Sequence, residues 1–152
     1  MSHGIEIAVE RPVRADAEAL LRASRAMMAG LYPPESCHGL DLGAYERAEV
    51  TLFVAREDGV AVGCGAFQLH GDGSAEVKSM FVTPSARGRG VGRAILDAIE
   101  AAVRGRVSAL RLETGVKQLP AIRLYETAGF ARRGPFGSYG DDPLSIFMEK
   151  PL

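Results

Sequence analysis

The chain contains few of the residues on which disulfide scaffolds and metal sites depend. Its 152 residues include two cysteines, Cys37 and Cys64, and three histidines whose spacing is not that of metal ligands. Two cysteines are too few for the dense cross-linking of a small secreted protein. Cys64 lies in an alternating apolar run, which is typical of a small buried residue. We therefore expect no disulfide framework and no bound metal.

Long apolar runs and a strong charge of either sign are also missing. No stretch of 18 apolar residues exists, and the N-terminus lacks the basic and then apolar pattern of a signal peptide. These absences predict a cytoplasmic protein with no membrane partner. The net charge of −1 argues against a surface that neutralises phosphates, so we expect no nucleic-acid partner.

Size and composition are those of one globular unit. With 47% hydrophobic and 24% charged residues, the chain resembles an ordinary soluble protein. A chain of this length buries about two-thirds of the surface that it exposes when unfolded. Because no linker, repeat or low-complexity segment interrupts the sequence, we predict a single domain over residues 1–152.

Hydrophobic periodicity in the first half predicts one strand, one helix and a three-strand meander. Alternation over residues 5–9 predicts the first strand, and apolar positions over residues 16–29 predict a helix that Gly30 ends. Residues 31–45 mix prolines with polar residues and are predicted to form a loop with a short helix near its end. Turn residues then separate three predicted antiparallel strands, at residues 50–55, 60–69 and 75–82.

The second half predicts two helices and three further strands, in the order of an α+β protein with a mixed sheet. An apolar stripe over residues 89–104 indicates an amphipathic helix, and a strand over residues 107–112 follows it. Because strand, helix and strand succeed one another over residues 76–112, the two strands should run parallel. The remaining predicted elements are a helix over residues 118–127 and a hairpin of residues 130–133 and 144–149.

A glycine-rich loop stands between a predicted strand and a predicted helix. Its sequence is Arg87-Gly88-Arg89-Gly90-Val91-Gly92, and Arg93 follows. Glycines let backbone N–H groups approach an anion closely, and the helix N-terminus behind them adds about half a positive charge. Guanidinium groups of arginines suit phosphate oxygens. The loop therefore predicts a pyrophosphate site.

Two familiar phosphate-binding motifs do not fit this loop. A P-loop ends in Gly-Lys followed by Ser or Thr, and the chain has no such tripeptide. A dinucleotide motif would need a third glycine at the position of Arg93 and an acidic residue about 20 positions further on. A site for another nucleotide, inferred from the loop alone, therefore has only weak support.

The pattern that fits is Arg-x-x-Gly-x-Gly, from Arg87 to Gly92, which resembles the acyl-CoA-binding motif of the GNAT superfamily of acetyltransferases. Two further segments are similar to the same family. Residues 76–82, Glu-Val-Lys-Ser-Met-Phe-Val, resemble the strand before that motif. Residues 118–130, Gln-x-x-Ala-Ile-Arg-Leu-Tyr-Glu-x-x-Gly-Phe, resemble its C-terminal signature. Three segments in the right order are far more specific than one short motif.

The resemblance implies an α+β fold and acetyl-CoA as the cosubstrate. The implied sheet is mixed and mostly antiparallel, with about seven strands, flanking helices and one parallel pair that splays apart. The match covers residues 76–130 and is weak before residue 50, where the second N-terminal helix of the family has no counterpart. The pantetheine arm of acetyl-CoA would insert between the two splayed strands.

The resemblance also assigns the residues that would hold acetyl-CoA. Backbone groups of Met80 and Val82 would bond the pantetheine amides and the thioester carbonyl, and an N–H near Val82 would form part of an oxyanion hole. Gln118 stands where many members have Asn, so an amide is present but its reach differs. The residues expected around the pyrophosphate are Arg87, Gly88, Arg89, Gly90, Val91, Gly92 and Arg93.

Acetyl transfer to an amine needs a base for the amine and an acid for the leaving thiolate. In this family the acid would be Tyr125. Glu76 matches a strand position that histone-modifying members use for a base, and strand alternation predicts that it shares a face with Met80 and Val82. Glu113, at the end of the parallel strand, and ordered waters are the alternatives for the base.

The acceptor implied by the family is an amine of a small molecule or peptide, bound between residues 31–45 and 134–143. The loop residues that would attract an ammonium group or shape the walls are Glu35, Asp141, Asp142, Tyr32 and Tyr139. Arg132 and Arg133 would equally receive the carboxylate of an amino-acid-like acceptor. The sequence leaves both kinds of acceptor open.

The expected reaction is direct attack of a neutral amine on the thioester, without a covalent enzyme intermediate. Both cysteines should then be dispensable for turnover. The alternative function is a non-catalytic sensor of the same fold, which binds an acyl-CoA and transfers nothing. A homodimer is expected only because many members of the family form one.

Overall fold

The computed structural model describes residues 4–12 and 14–152, and its strands form one sheet. The strands are Ile5–Val9 (β1), Val50–Glu57 (β2), Val60–Leu69 (β3), Ser74–Val82 (β4), Ala109–Gly115 (β5), Ala131–Arg133 (β6) and Ser145–Pro151 (β7). The α-helices are Ala15–Leu31 (α1), Val91–Val103 (α2) and Leu119–Thr127 (α3), and 3₁₀ turns cover Pro34–Ser36, Leu42–Glu46 and Pro84–Ala86. Within the described residues, no helix has the length and apolar character needed to cross a membrane.

The strand order is β1-β2-β3-β4-β5-β7-β6, and all neighbours are antiparallel except β4 and β5. Helix α2 crosses over between those two strands and so brings them in parallel, as the sequence predicts. Seven strands in the described part of the chain, one parallel pair and flanking helices confirm the predicted α+β fold with a mixed, mostly antiparallel sheet.

The helices cover both faces of the sheet, and each face has its own core. Helix α2 buries Ile95 and Ile99 completely on one face. Helix α1 buries Leu20 and Leu21 on the other, against Phe81 and neighbouring strand residues. Each fully buried aliphatic side chain of this size contributes about 1.5–3 kcal/mol. The two cores therefore hold the helices firmly against the strands that form the site.

Helix α1 ends later than the sequence predicts. It continues through Gly30 to Leu31, and Tyr32 rather than Gly30 ends it. The Tyr32 N–H donates to the Met28 carbonyl at 2.9 Å, while the backbone of Tyr32 is already extended. The Tyr32 hydroxyl oxygen accepts the N–H of Lys117 at 3.0 Å, just beyond β5. A contact distant in sequence thus decides where the helix stops.

The packing of Tyr32 on Gly115 predicts a large effect of a small substitution. A Cβ atom added at Gly115 would lie 1.9 Å from the Tyr32 hydroxyl oxygen, so the ring would have to move. We expect Gly115→Ala to lower the free energy of unfolding by about 1–3 kcal/mol, the usual cost of overpacking. In the control Gly30→Ala nothing lies within 4 Å of the added Cβ, and the helix should gain up to about 1 kcal/mol. Urea unfolding compares the two, and equal midpoints would contradict the prediction.

The parallel strands β4 and β5 are joined only at their N-terminal ends. Their pairing stops at Val77 opposite Leu112, although both strands continue. Strand β5 stays paired with β7 as far as Gly115, so it ends later than the predicted strand over residues 107–112. The two strands therefore splay apart, and a cleft opens between their C-terminal ends.

A β-bulge turns the second half of β4 toward this cleft. Between Lys78 and Phe81, two residues of β4 face a single residue of β3. Ser79 in the bulge has a φ of 61°, which is uncommon for a residue with a side chain. Two partners hold it there: the Tyr45 hydroxyl lies 2.5 Å from its Oγ, and the Cys64 thiol donates to its carbonyl at 3.2 Å.

The bulge also shows that Glu76 does not share a face with Met80 and Val82, as strand alternation predicts. One extra residue reverses the alternation of side chains beyond it. Glu76 precedes the bulge, two residues before the position opposite Ala66 of the core beneath α1. Met80 and Val82 follow the bulge and pack with the core beneath α2. The sequence does not reveal the bulge, because its residues have no special turn chemistry.

Candidate active site

A cavity of about 450 Å³ occupies the cleft between β4 and β5. Its walls come from α1, the loop after α1, the two strands and α3. The lining residues that bear on function are Glu76, Met80, Glu113, Gln118, Tyr125 and Tyr139. The structure thus brings Tyr125 and both candidate carboxylates, Glu76 and Glu113, into one cavity from three different elements.

Tyr125 lies on α3, and only 5% of its surface is exposed. Its ring packs edge-on against Phe130, with 5.9 Å between ring centroids. Within residues 4–12 and 14–152, no group bonds to its hydroxyl. Burial and the nearby Glu113 carboxylate raise the pKa of the phenol, so it keeps its proton at neutral pH. A neutral phenol beside a cavity, without a protein partner, is a proton donor available to a ligand.

Glu76 is 3% exposed and has three side-chain partners. Lys78 donates from Nζ to Oε2 at 3.1 Å, and His70 Nε2 lies 2.9 Å from Oε1. The Tyr139 hydroxyl also donates to Oε2. Burial and the Glu76 charge raise the pKa of Tyr139, so its phenol remains a donor. The Glu76 carboxylate is therefore fixed in orientation by groups from β4, from the turn after β3 and from the loop before β7.

Glu113, on β5, has fewer side-chain hydrogen-bond partners than Glu76. The Ser145 hydroxyl donates to its Oε2 at 2.7 Å. Burial raises the pKa of the Glu113 carboxyl, and this effect outweighs that hydrogen bond and the electrostatic influence of His38 and Lys78. A carboxylate in such surroundings is a stronger base than one in water, and it attracts an ammonium group.

The raised pKa of Glu113 predicts that its neutralisation stabilises the protein. Because the folded state holds this proton more tightly than the unfolded chain, the carboxyl favours folding below its unfolded pKa and loses that contribution as pH rises through its folded pKa. Glu113→Gln should therefore have a higher Tm than the parent at pH 7, and the difference should vanish toward pH ~4.

Calorimetric scans across this pH range test the Glu113→Gln prediction. Glu126→Gln is the matched control, because Glu126 lies exposed on α3 and its neutralisation should leave Tm unchanged. An equal or lower Tm of Glu113→Gln at pH 7 would contradict the assignment of burial as the dominant influence on this carboxyl.

The glycine loop forms a set of open backbone amides at the start of α2. Gly88 and Gly90 have φ values of 79° and 82°, in the left-handed region that glycine favours, and nothing lies within 4 Å of a Cβ added at either. No side chain caps the helix. In the described part of the chain, no carbonyl accepts the amides of Val91, Gly92 and Arg93. These amides and the helix dipole fit a phosphate group.

The three arginines of the loop turn their side chains to protein partners. Arg87 donates from Nε to the Val82 carbonyl at 3.0 Å. Arg89 and Arg93 each bond a surface carboxylate, at 2.9 and 3.0 Å. Exposed pairs of this kind contribute at most about 1 kcal/mol, so a phosphate could replace the carboxylates. The glycine loop therefore presents backbone amides to a ligand, while the guanidinium groups of Arg87, Arg89 and Arg93 are bonded to protein partners.

The other residues predicted to hold acetyl-CoA divide into two groups. Met80 and Gln118 line the cavity, and the Gln118 amide oxygen accepts the N–H of Gly115 at 3.1 Å. Val82 lies outside the cavity lining and packs in the core beneath α2. Its backbone ends β4 beside the glycine loop, where the splayed edge of the strand is unpaired on the β5 side.

A second opening, of about 500 Å³, reaches Glu76 from the side of the loop before β7. Phe136 and Tyr139 form one wall, with ring centroids 5.2 Å apart, and His38 and His70 line the same opening. Glu76, Lys78 and Tyr139 border both cavities. The Glu76 carboxylate therefore stands where the two cavities meet.

Few of the residues predicted to bind an acceptor line either cavity. Tyr32 and Tyr139 do, and their rings form walls. Outside both cavities are Glu35, Asp141, Asp142, Arg132 and Arg133. Asp142 accepts the Ser36 hydroxyl at 2.7 Å, which lowers the pKa of Asp142 and fastens two loops together. Arg133 bonds Glu149 at 2.7 Å, so its guanidinium is already paired.

His70 and Lys78 are contacts of Glu76 that the motifs do not identify. The signal lies in the register of the β3–β4 hairpin, where Gln68 is opposite Glu76. His70 is then a diagonal neighbour of Glu76, and Lys78 shares its face by alternation. Counting residues outward from the turn at residues 70–73 would have found both.

The cysteines have different surroundings. Burial raises the pKa of the Cys64 thiol to about 12, so it stays protonated and is no nucleophile. Cys37 is half-buried at the cavity wall. Among the residues that the structure describes, no three His, Cys, Asp or Glu side chains are grouped as metal ligands.

Comparison with known proteins decides the family. The model of the acetyltransferase (GNAT) family matches residues 19–130, more than half of the chain. The chain belongs to the GNAT acetyltransferase family. It is therefore an acetyl-CoA-dependent N-acetyltransferase, as the three sequence segments predict. The IAA acetyltransferase of Azospirillum brasilense is 48% identical over 150 residues, which cover 97% of this chain and 98% of that one.

Solved structures resemble this GNAT acetyltransferase over their whole length. An acyl-CoA N-acyltransferase, so described, from Klebsiella pneumoniae has a TM-score of 0.83 and 37% identity, with 99% of each chain covered. A GNAT acetyltransferase from Elizabethkingia anophelis, solved with acetyl-CoA bound, has a TM-score of 0.73 and covers 99% of this chain and 100% of its own. At 16% identity the second likeness concerns the fold alone.

Proposed function

We propose that this GNAT acetyltransferase moves the acetyl group of acetyl-CoA to a primary amine of a small molecule or peptide, by direct attack within a ternary complex. The observation that supports this most is one cavity that joins the unpartnered phenol of Tyr125 to the buried carboxylate of Glu76 and the half-buried carboxylate of Glu113. An acid and a base in one cleft are what amine acylation needs. The walls come from both halves of the chain, so the proposed acting unit is residues 1–152.

Acetyl-CoA is proposed to lie across the glycine loop and along the splayed edge of β4. The amides from Gly88 to Arg93 would hold its pyrophosphate, with Arg87 and Arg89 supplying positive charge nearby. Beyond Val77 the backbone of β4 is unpaired on the β5 side, and it would bond the pantetheine amides as a neighbouring strand would. Met80 and Gln118 would then contact the pantetheine arm inside the cavity.

Tyr125 is the proposed general acid. A free phenol has a pKa of about 10 and a thiol about 8.5, so proton transfer to a thiolate in water is uphill. The thiolate would form in the same buried cavity, where desolvation raises its own proton affinity. Tyr125 therefore donates the proton with which the sulfur leaves as a thiol, and its hydroxyl has no competing hydrogen bond within the described residues.

Glu76 and Glu113 are proposed to divide two tasks. Lys78 already pairs with Glu76, whereas the side-chain partner of Glu113 is the neutral Ser145 hydroxyl, so the charge of Glu113 is the one available to an incoming ammonium group. Glu76 stands at the junction of the cavities, where an amine entering from the second opening meets the thioester. We therefore assign amine binding to Glu113 and proton removal to Glu76, with ordered water as a link where the distance requires one.

The proposed acceptor carries an amine on an aromatic or apolar group. The second opening offers the Phe136 and Tyr139 rings as a wall, and its ammonium group, that of Lys78, is bonded to Glu76. A carboxylate on the acceptor would find no unpaired arginine or lysine among the lining residues. Amino-acid acceptors are therefore disfavoured relative to arylalkyl amines.

Release of the CoA thiol from acetyl-CoA, measured against a blank without acceptor, tests the proposed function. The panel holds arylalkyl amines, polyamines, amino acids, aminoglycosides and peptides, together with IAA, for which the Azospirillum brasilense relative is named. We expect the fastest release with an arylalkyl amine. Silence across the panel would contradict amine acetylation and favour the non-catalytic sensor.

Initial-velocity patterns test the direct attack. Intersecting lines are expected when both substrates are varied, because both must be bound before transfer. Cys37→Ser, which alters the half-buried thiol at the cavity wall, should keep full activity. Parallel lines or a trapped acetyl-cysteine would contradict the ternary complex.

A further inference from the structure

Acetylation of an ammonium substrate must release one proton to solvent. The balanced reaction is R–NH₃⁺ + CH₃CO–S–CoA → R–NH–COCH₃ + HS–CoA + H⁺, in which an N–C bond forms and a C–S bond breaks. The nitrogen loses two protons. One is balanced by the proton that Tyr125 donates to the CoA sulfur, and the other must reach water. In the proposed function Glu76 takes that second proton, and Glu76 is 3% exposed.

The three partners of Glu76 differ in what they can do with that proton. Lys78 is an ammonium group that only donates, and its side chain is 10% exposed. Tyr139 is a half-buried phenol that already donates to Glu76, and its raised pKa keeps its proton in place. His70 has 31% of its side chain exposed, lines the second opening, and places Nε2 2.9 Å from Oε1 of Glu76. An imidazole accepts a proton at one nitrogen and releases another from its second nitrogen.

We propose that His70 is the proton outlet of the active site, relaying to solvent the proton that Glu76 removes from the acceptor amine. The inference rests on the proposed function. In the step, the Oε1–H bond of Glu76 breaks, the proton joins Nε2 of His70, and the proton on Nδ1 passes to water. The carboxylate is regenerated, and the imidazole returns to its first tautomer by exchange with water. No redox partner takes part.

The geometry separates this role from mere positioning of Glu76. The titratable and charged groups that line the opening beside His70 are Glu76 and Lys78 of β4, Tyr139 of the loop before β7, and His38 of the loop after α1. Lys78 and Tyr139 already fix Oε2 of Glu76, so its orientation does not depend on His70 alone. Loss of His70 should therefore remove the relay and leave the carboxylate nearly in place.

Two substitutions with different chemistry test the relay. His70→Gln retains an amide that can bond Glu76 but that relays no proton, and His70→Ala leaves space for a small base. We expect both to lower kcat about 10²-fold, within the usual range for acid–base groups, with the KM for acetyl-CoA unchanged. Added imidazole should restore kcat at least about 10-fold in His70→Ala and have no effect on His70→Gln.

A kcat equal to that of the parent in His70→Gln would make His70 a positioning residue and overturn the relay. A kcat equal to that of the parent in His70→Ala would overturn the relay as well. NMR chemical shifts of the His70 ring nitrogens report on the contact between His70 and Glu76 without turnover. The signals of His70 are assigned by their absence in His70→Gln. The His70 shifts should change in Glu76→Gln and stay in Glu113→Gln. His70 shifts that do not change in Glu76→Gln would refute the contact between His70 and Glu76. Coupled shifts in a protein that releases no CoA thiol would instead refute the proposed function, and the relay with it.

Discussion

Tyr125→Phe is expected to lower kcat about 10²-fold while CoA binding stays unchanged. The substitution removes only the hydroxyl, the proposed proton donor to the leaving thiolate, and general acids contribute at least about this much. Because the hydroxyl has no partner in the described part of the chain, its loss should not reduce the free energy of unfolding. Steady-state kinetics, calorimetric titration with CoA and urea unfolding measure the three quantities.

Tyr32→Phe is the matched control for Tyr125→Phe. Tyr32 borders the same cavity, but its hydroxyl oxygen already accepts the Lys117 N–H and so has a structural role. We expect a smaller fall in kcat and a stability loss of about 1 kcal/mol. Equal kcat values for Tyr125→Phe and the parent would remove Tyr125 from the chemistry and leave the acid to water.

Glu76→Gln is expected to lower kcat more than 10²-fold, because Glu76 is the proposed base and adjoins the proton outlet. The neutral amide also leaves the buried ammonium of Lys78 without a counter-charge, which costs about 3–5 kcal/mol in a buried pair. A fall in kcat must therefore be read beside an unfolding curve, at a temperature where the variant is folded.

Glu113→Gln is the counterpart that separates the two carboxylates. We expect it to raise the KM for the acceptor more than it lowers kcat, and to unfold at a higher temperature than the parent at pH 7. The opposite order, with kcat lost mainly in Glu113→Gln, would make Glu113 the base. Equal, small effects in both variants would favour ordered water.

Much of the fold follows from local patterns. The stripe of α2, the tight turn after β2 and the strand–helix–strand order around α2 fix most elements and the parallel pair. The end of α1 does not follow, because Tyr32 stops the helix through a contact with residues beyond β5. The bulge in β4 does not follow either, since Ser79 is held in a positive φ by Tyr45 and Cys64 from other elements.

The candidate site divides in the same way. The glycine loop and the position of Tyr125 on its helix are local features, and a family motif is sufficient to propose them. The face of Glu76, the partners His70 and Lys78, and the pairing of Asp142 with Ser36 depend on register and on loop contacts. The hairpin register that brings His70 and Lys78 to Glu76 can be counted from the turn. The bulge in β4 and the pairing of Asp142 with Ser36 cannot be predicted from local spacing, because they depend on residues distant in the sequence.

The family, the phosphate-binding loop and the candidate acid follow from three short motifs in the right order, and the order of the elements follows from local hydrophobic patterns. The enclosure of Glu76 and the raised pKa of Glu113 instead depend on contacts that form in the folded chain. The groups around Glu76 and Glu113 come from β4, β7, the turn after β3 and two loops, which converge only when the sheet is complete. The same convergence places a half-exposed His70 against an enclosed Glu76.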